Sequence, residues 1–161
     1  VDGRSPKLQA FNIRRAIKPG GRLCFICWRP MKENPWYFLP LSAAAKHVEL
    51  PPPPDPNAPG PFAFSDPDRL RGILTSAGFS TVTIEKFDAR LPIGGALDLE
   101  KSVDSVIDFG PVSALLLDKG DELRNAARNS IREALKPHLT PAGVVLDWAA
   151  WLVRVRNARL A

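Results

Sequence analysis

Cysteine and histidine are the side chains most often recruited for metal binding, redox chemistry and nucleophilic attack, and this chain holds two of each. Cys24 and Cys27 form a C-x-x-C within "RLCFICW". In a helical turn that spacing would point to redox chemistry or half a zinc site. The segment reads as a strand instead, so the two thiols face opposite sides of a sheet. Their Cα atoms would stand about 10 Å apart at strand rise, beyond the roughly 7 Å reach of a disulfide. His47 and His138 are remote in sequence, so no metal site is expected. The expectation is a pair of buried, inert thiols.

No nucleophile–base pair stands out, and no catalytic residue is assigned. His138 sits between "KP" and "LTP", where a helix-end role fits. Asp104, Asp108 and Asp118 fall on or near predicted helices without an evident partner. Asp147 is a single carboxylate in an apolar strand. It would be either an acid of raised pKa or, more commonly, a residue reaching the strand end or a neighbouring arginine; the second is favoured. The remaining candidates are Trp28, Arg29, Asn34, Trp36 and Tyr37, which follow the C-terminal end of the first predicted strand. Ligands of open α/β sheets bind at that end, and aromatics with a few polar groups suit a hydrophobic small molecule. The same rings could equally pack a proline-rich loop onto the sheet.

The elements that must position these residues read as follows. Residues 6–17 suit a helix capped by Ser5, with Pro6 in its first turn; "KPGG" stops it. Residues 22–28 form a strand apolar on both sides, which expects cover on both faces. A short helix over 35–47 is complicated by Pro40. "PPPPDPNAPGP", residues 51–61, is read as an extended surface loop. "SDPDRLRGILTSAGF" carries Ser65 or Asp66 as N-cap and Gly78 as terminator, with Leu70, Ile73, Leu74 and Ala77 at helical spacing. Residues 79–87 alternate as a strand. Helices follow over 98–108, 111–117 and 119–136, the last with a stripe of Leu123, Ala127, Ile131 and Leu135. Residues 143–158 form a long, largely apolar strand that should be central.

The chain has 161 residues, 45% hydrophobic and 24% charged, with a net charge of +5. That composition fits one folded domain over 1–161 rather than a disordered chain. No apolar run approaches the roughly 18 residues of a membrane helix, and no signal peptide is evident, so no membrane partner is expected and a cytoplasmic location is the default. The first residue is not Met, which is consistent with trimming or with an upstream start. The basic residues divide between Arg14, Arg15, Lys18 and Arg22 near the start and Arg154, Arg156 and Arg159 near the end, as solvated helix ends and a charged tail would.

The order helix, "AIKPGGRLCFICW", "LTSAGFSTVTIE" and a closing "WLVRVRNA" resembles the C-terminal half of a class I S-adenosylmethionine-dependent methyltransferase of the small-molecule, ubiquinone/menaquinone type. The resemblance implies a partial Rossmann-like α/β fold: a small mixed sheet of about three strands, the last central and antiparallel, covered by helices. In that family a glycine-rich turn and an acidic residue, both in the first half of the fold, hold the cofactor. Neither is found here, since Gly20-Gly21 is a lone turn and "PIGGAL" lacks the required flanks. No cofactor is therefore expected on this chain alone.

Three readings follow. The first is a methyltransferase-related structural or interaction module that neither binds S-adenosylmethionine nor catalyses methyl transfer by itself. The second is part of an active enzyme acting on a small hydrophobic molecule, completed upstream or by another chain. The third, a basic nucleic-acid binder, ranks last because no reading motif is present. A strand over 22–28 without its family neighbour would leave a bare apolar edge, so a homodimer through residues 22–28 and the preceding helix is expected.

Overall fold

The structure, a computed structural model, describes residues 6–52, 55, 58–95 and 98–158. Ser5, Arg159 and parts of the 51–61 segment lie outside the described residues. The elements are α1 Pro6–Ala16, β1 Arg22–Trp28, α2 Pro35–Ala44, α3 Pro67–Ser76, β2 Phe79–Pro92, α4 Leu99–Asp108, α5 Pro111–Leu116, α6 Asp121–Leu135, β3 Leu139–Thr140 and β4 Gly143–Asn157.

The sheet order is β1-β4-β2, with β3 also paired to β4. The last strand is central, as expected, because it alone is long and apolar enough to be flanked on both sides. β1 pairs antiparallel with β4, Phe25 opposite Val153, and β3 pairs antiparallel with β4 as well. Side-chain contacts between β2 and β4 also run in opposite chain directions: Ser80 Oγ donates to Arg156 O, Arg154 meets Glu85, and Arg90 meets Asp147. Two details of the expectation change. A fourth, two-residue strand is present, and the ladders are antiparallel rather than mixed.

The chain divides into two compact units, residues 1–30, 54–87 and 149–161 in one and residues 31–53 and 88–148 in the other. In the first unit, Leu70, Ile73 and Leu74 of α3 form a core with Phe79, Val153 and Val155, and Leu23, Phe25 and Cys27 of β1 pack against it. α3 begins where expected: the Asp66 carboxylate accepts from the N–H groups of Asp68 and Arg69, and Pro67 follows. Gly78, at φ 89°, turns the chain into β2, a conformation that glycine reaches without a Cβ clash. In the second unit, Val103, Leu116, Ile131, Leu135 and Val144 are fully buried and form a separate core.

Cover on both faces of β1 is not what the structure shows. Leu23, Phe25 and Cys27 face the core, while Cys24 is exposed and Ile26 is 57% exposed. The cause lies on the neighbouring strand. Cys24 sits opposite Arg154, and Arg22 opposite Arg156, so this face carries cations that stay in water. The two thiols, expected to be buried, are thus one half-buried (Cys27) and one exposed (Cys24), both free. α6 keeps Ala127, Ile131 and Leu135 buried, but Leu123, one turn earlier on the expected stripe, is 41% exposed.

Candidate functional site

Of the five expected site residues, Trp28 and Arg29 belong to the first unit and Asn34, Trp36 and Tyr37 to the second. Trp28 closes β1 opposite Ala150. Arg29 is 7% exposed, donates its backbone N–H to Ala149 O, and places its guanidinium 5.4 Å from the centre of the Trp151 ring. That is a cation–π contact inside the first unit. These contacts hold Arg29 at the end of β1.

Asn34, Trp36 and Tyr37 do come together, in the second unit. Asn34 is fully buried and stands at the N-cap of α2. Its carbonyl accepts from the N–H groups of Tyr37 and Phe38, which starts the helix. Its side chain does not cap; Asn34 Oδ1 accepts instead from the indole Nε1 of Trp36 at 2.8 Å. The indole so held stacks on Trp148, with centroids 4.6 Å apart and planes 14° apart. Tyr37 meets Trp36 edge-on at 5.5 Å. Offset stacking and edge-to-face contacts are the two favoured aromatic geometries.

Beside these rings lies a cavity of about 220 Å³, walled by Trp36, Tyr37, Trp148 and Phe109, with Ser105 and Gly94 on its lining. Gly94 is required there. At φ 63° it is left-handed, and a Cβ would stand 2.4 Å from Ser105 Oγ. Among the described residues, no charged side chain lines the cavity. Burial pushes the Tyr37 phenol above its ordinary value. The arrangement can hold a flat, uncharged ring against aromatic walls and offer hydroxyl hydrogen bonds.

Trp148, Phe109 and Ser105 were missed in the sequence. Trp148 was hidden among apolar strand residues. Phe109 precedes the Gly110-Pro111 break and is 74% exposed, so an aromatic left at a helix break was the available signal. The structure also brings His47 Nε2 to 2.7 Å from Ser130 Oγ. The pair is exposed, and among the described residues no carboxylate is bonded to the other ring nitrogen, so it is a surface hydrogen bond without the orienting group of a triad.

Gly20 and Gly21 have a local structural role. Gly20 N–H donates to Asn157 O, and a Cβ on Gly21 would lie 2.6 Å from Ile17 Cγ2 and 2.8 Å from Lys18 O. Both belong to the turn between α1 and β1. Among the described residues no group of three or more His, Cys, Asp or Glu could hold a metal ion, and no helix is long and apolar enough to cross a membrane. No protein-family model matches the chain, and no curated protein is significantly similar to it.

Proposed function

We propose that this chain is a methyltransferase-related module, equivalent to the C-terminal half of the class I fold, whose own residues hold a small hydrophobic, ring-bearing molecule and do not by themselves hold S-adenosylmethionine. The observation that carries the reading is the uncharged aromatic cavity of the second unit, with Ser105 as its polar point. The strand order supports the ancestry, because an antiparallel last strand between the first and the middle is what the resemblance implies. Methyl transfer then requires a cofactor half supplied from outside these residues.

The test uses 1-naphthol, a flat ring with one hydroxyl. A ligand that binds only the native state raises the melting temperature, so 1-naphthol should raise it and quench tryptophan fluorescence. Ser105→Phe, which fills the cavity, should abolish both effects while keeping the circular dichroism of wild type. S-adenosylmethionine alone should leave the melting temperature unchanged. No response to 1-naphthol would remove the cavity reading, and a clear rise with S-adenosylmethionine would remove the cofactor-free reading. An interaction module is the second reading, favoured by the exposed apolar side chains of β1.

A further inference from the structure

The last strand of a sheet keeps a row of backbone N–H and C=O groups turned outward. Among the described residues, β1 has β4 on one side and no strand on the other. The ladder decides which of its residues turn outward. Asn157 N–H donates to Gly21 O at one end of the pairing, and Arg29 N–H donates to Ala149 O at the other. Bonded positions recur at every second residue of an antiparallel strand. Leu23, Phe25 and Cys27 therefore bond to β4, and Arg22, Cys24 and Ile26 direct their backbone groups away from it. Their side chains share the uncovered face, where Cys24 is exposed and Ile26 is 57% exposed.

The opposite margin of the sheet is built differently. β2 carries Glu85, Lys86, Asp88 and Arg90, and charges of this kind keep an edge from pairing. β1 has no charge between Arg22 and Arg29 and no proline. Its sequence is also complementary to itself. We propose that β1 pairs antiparallel with β1 of a second copy of this chain, Phe25 opposite Phe25, so that Cys24 of each copy lies across from Ile26 of the other.

This register matches outward residue to outward residue on both sides of the twofold axis. It also sets the Arg22 guanidinium of each copy across from the Trp28 ring of the other, an arrangement in which a cation meets an aromatic face rather than a second arginine. Slipping by two residues in one direction places Cys24 against Cys24 and moves Arg22 across from Ile26, away from the ring. Slipping the other way brings Pro30, which has no N–H, against Arg22. A strand pair alone buries less than the roughly 1,200 Å² of a stable standard interface, so association is expected at high micromolar concentration rather than at trace levels.

Light scattering on the full chain at high micromolar concentration should give twice the monomer mass. Ile26→Pro removes an N–H that β4 does not use, and proline is tolerated at such edge positions; this variant should stay folded by circular dichroism and run as a monomer. Ile26→Cys places a thiol across from Cys24 of the second copy. Hydrogen-bonded partners stand about 5.5 Å apart at Cα, within disulfide reach, so mild oxidation should give a covalent dimer that Cys24→Ser in the same chain abolishes. A monomeric wild type would overturn the proposal. So would a folded Ile26→Pro that keeps the dimer mass, or an oxidised Ile26→Cys that fails to cross-link. Cross-linking of wild type through Cys24 alone, or of the double variant through position 26, would overturn the register. Because cross-linking is read without the proline variant, a misfolded Ile26→Pro does not protect the proposal.

Discussion

Burial pushes the Cys27 thiol up to about 11 from the 9.0 of a free cysteine, while its Sγ donates to Phe64 O at 3.8 Å. Below pH 9 the thiol is neutral in both the folded and the unfolded chain, and its contribution to stability is fully present. As pH rises from 9 toward 11 the unfolded chain ionises first, so that contribution is lost. The denaturation midpoint in urea should fall over this interval, and fall less in Cys27→Ala. At mildly alkaline pH a thiol reagent should modify exposed Cys24 before Cys27. Asp147, the odd carboxylate of β4, ends 3.2 Å from Arg90 Nε with both side chains largely exposed. Exposed pairs contribute little, so Asp147→Asn should shift unfolding free energy by no more than about 0.5 kcal/mol. The pattern of the strand already favoured a residue reaching the strand end or a neighbouring arginine, and the arginine is what the structure places there. It could not reveal that the next residue, Trp148, turns to stack on Trp36, because stacking depends on where α2 is placed.

The helices were legible where the chain itself carries the stop and start signals. Asp66 caps α3 as "SDPDRL" implies, accepting from Asp68 and Arg69 N–H at 2.9 and 3.3 Å. Asp66→Ala should cost about 1 kcal/mol in a chemical denaturation experiment. α4 and α6 are joined by a contact invisible to any local pattern: Arg132 Nε lies 2.6 Å from a Glu100 carboxylate oxygen, with Arg128 on the other oxygen. The Arg132 hydrogen bond first, and Arg128 with it, hold the Glu100 carboxyl below its ordinary 4.5. A depressed carboxyl contributes stability at neutral pH that is lost as pH falls below that value. Melting temperature should therefore drop more steeply through the acid range in wild type than in Glu100→Gln. Other features needed the fold. β2 runs on past Phe87 to Pro92 through alternating charges that look like a loop end, and they are held by a strand distant in sequence. β3 is two residues long, too short for any periodicity, and is fixed by Thr140 Oγ1 donating to Gly143 O at 2.9 Å. The aromatic cavity draws on α2, α4, β4 and the segment around Gly94, so only its Trp36–Tyr37 wall was visible as a cluster.

Each unit of the molecule is assembled from separated stretches of chain, which is why composition along the sequence marked no boundary. The first unit is the more scattered. Its edge strand β1 spans residues 22–28, and the partner stretch of β4 spans 150–156. Asn157 then fastens the arrangement: its side chain accepts from Arg14 Nε and donates to Ile17 O, and its backbone bonds to Gly20 and Gly21. A ribosome delivers the chain in the opposite order to that in which this sheet can be used. β1 leaves the exit tunnel well before β4, its partner strand among the described residues, with an apolar face and both backbone edges unsatisfied until then. The second unit, complete by residue 148, can fold while the first still waits. In a series of stalled nascent chains, protease protection should reach the 88–148 segment first. Residues 22–28 should stay cleavable, and open to chaperone binding, until residue 157 has cleared the ribosome.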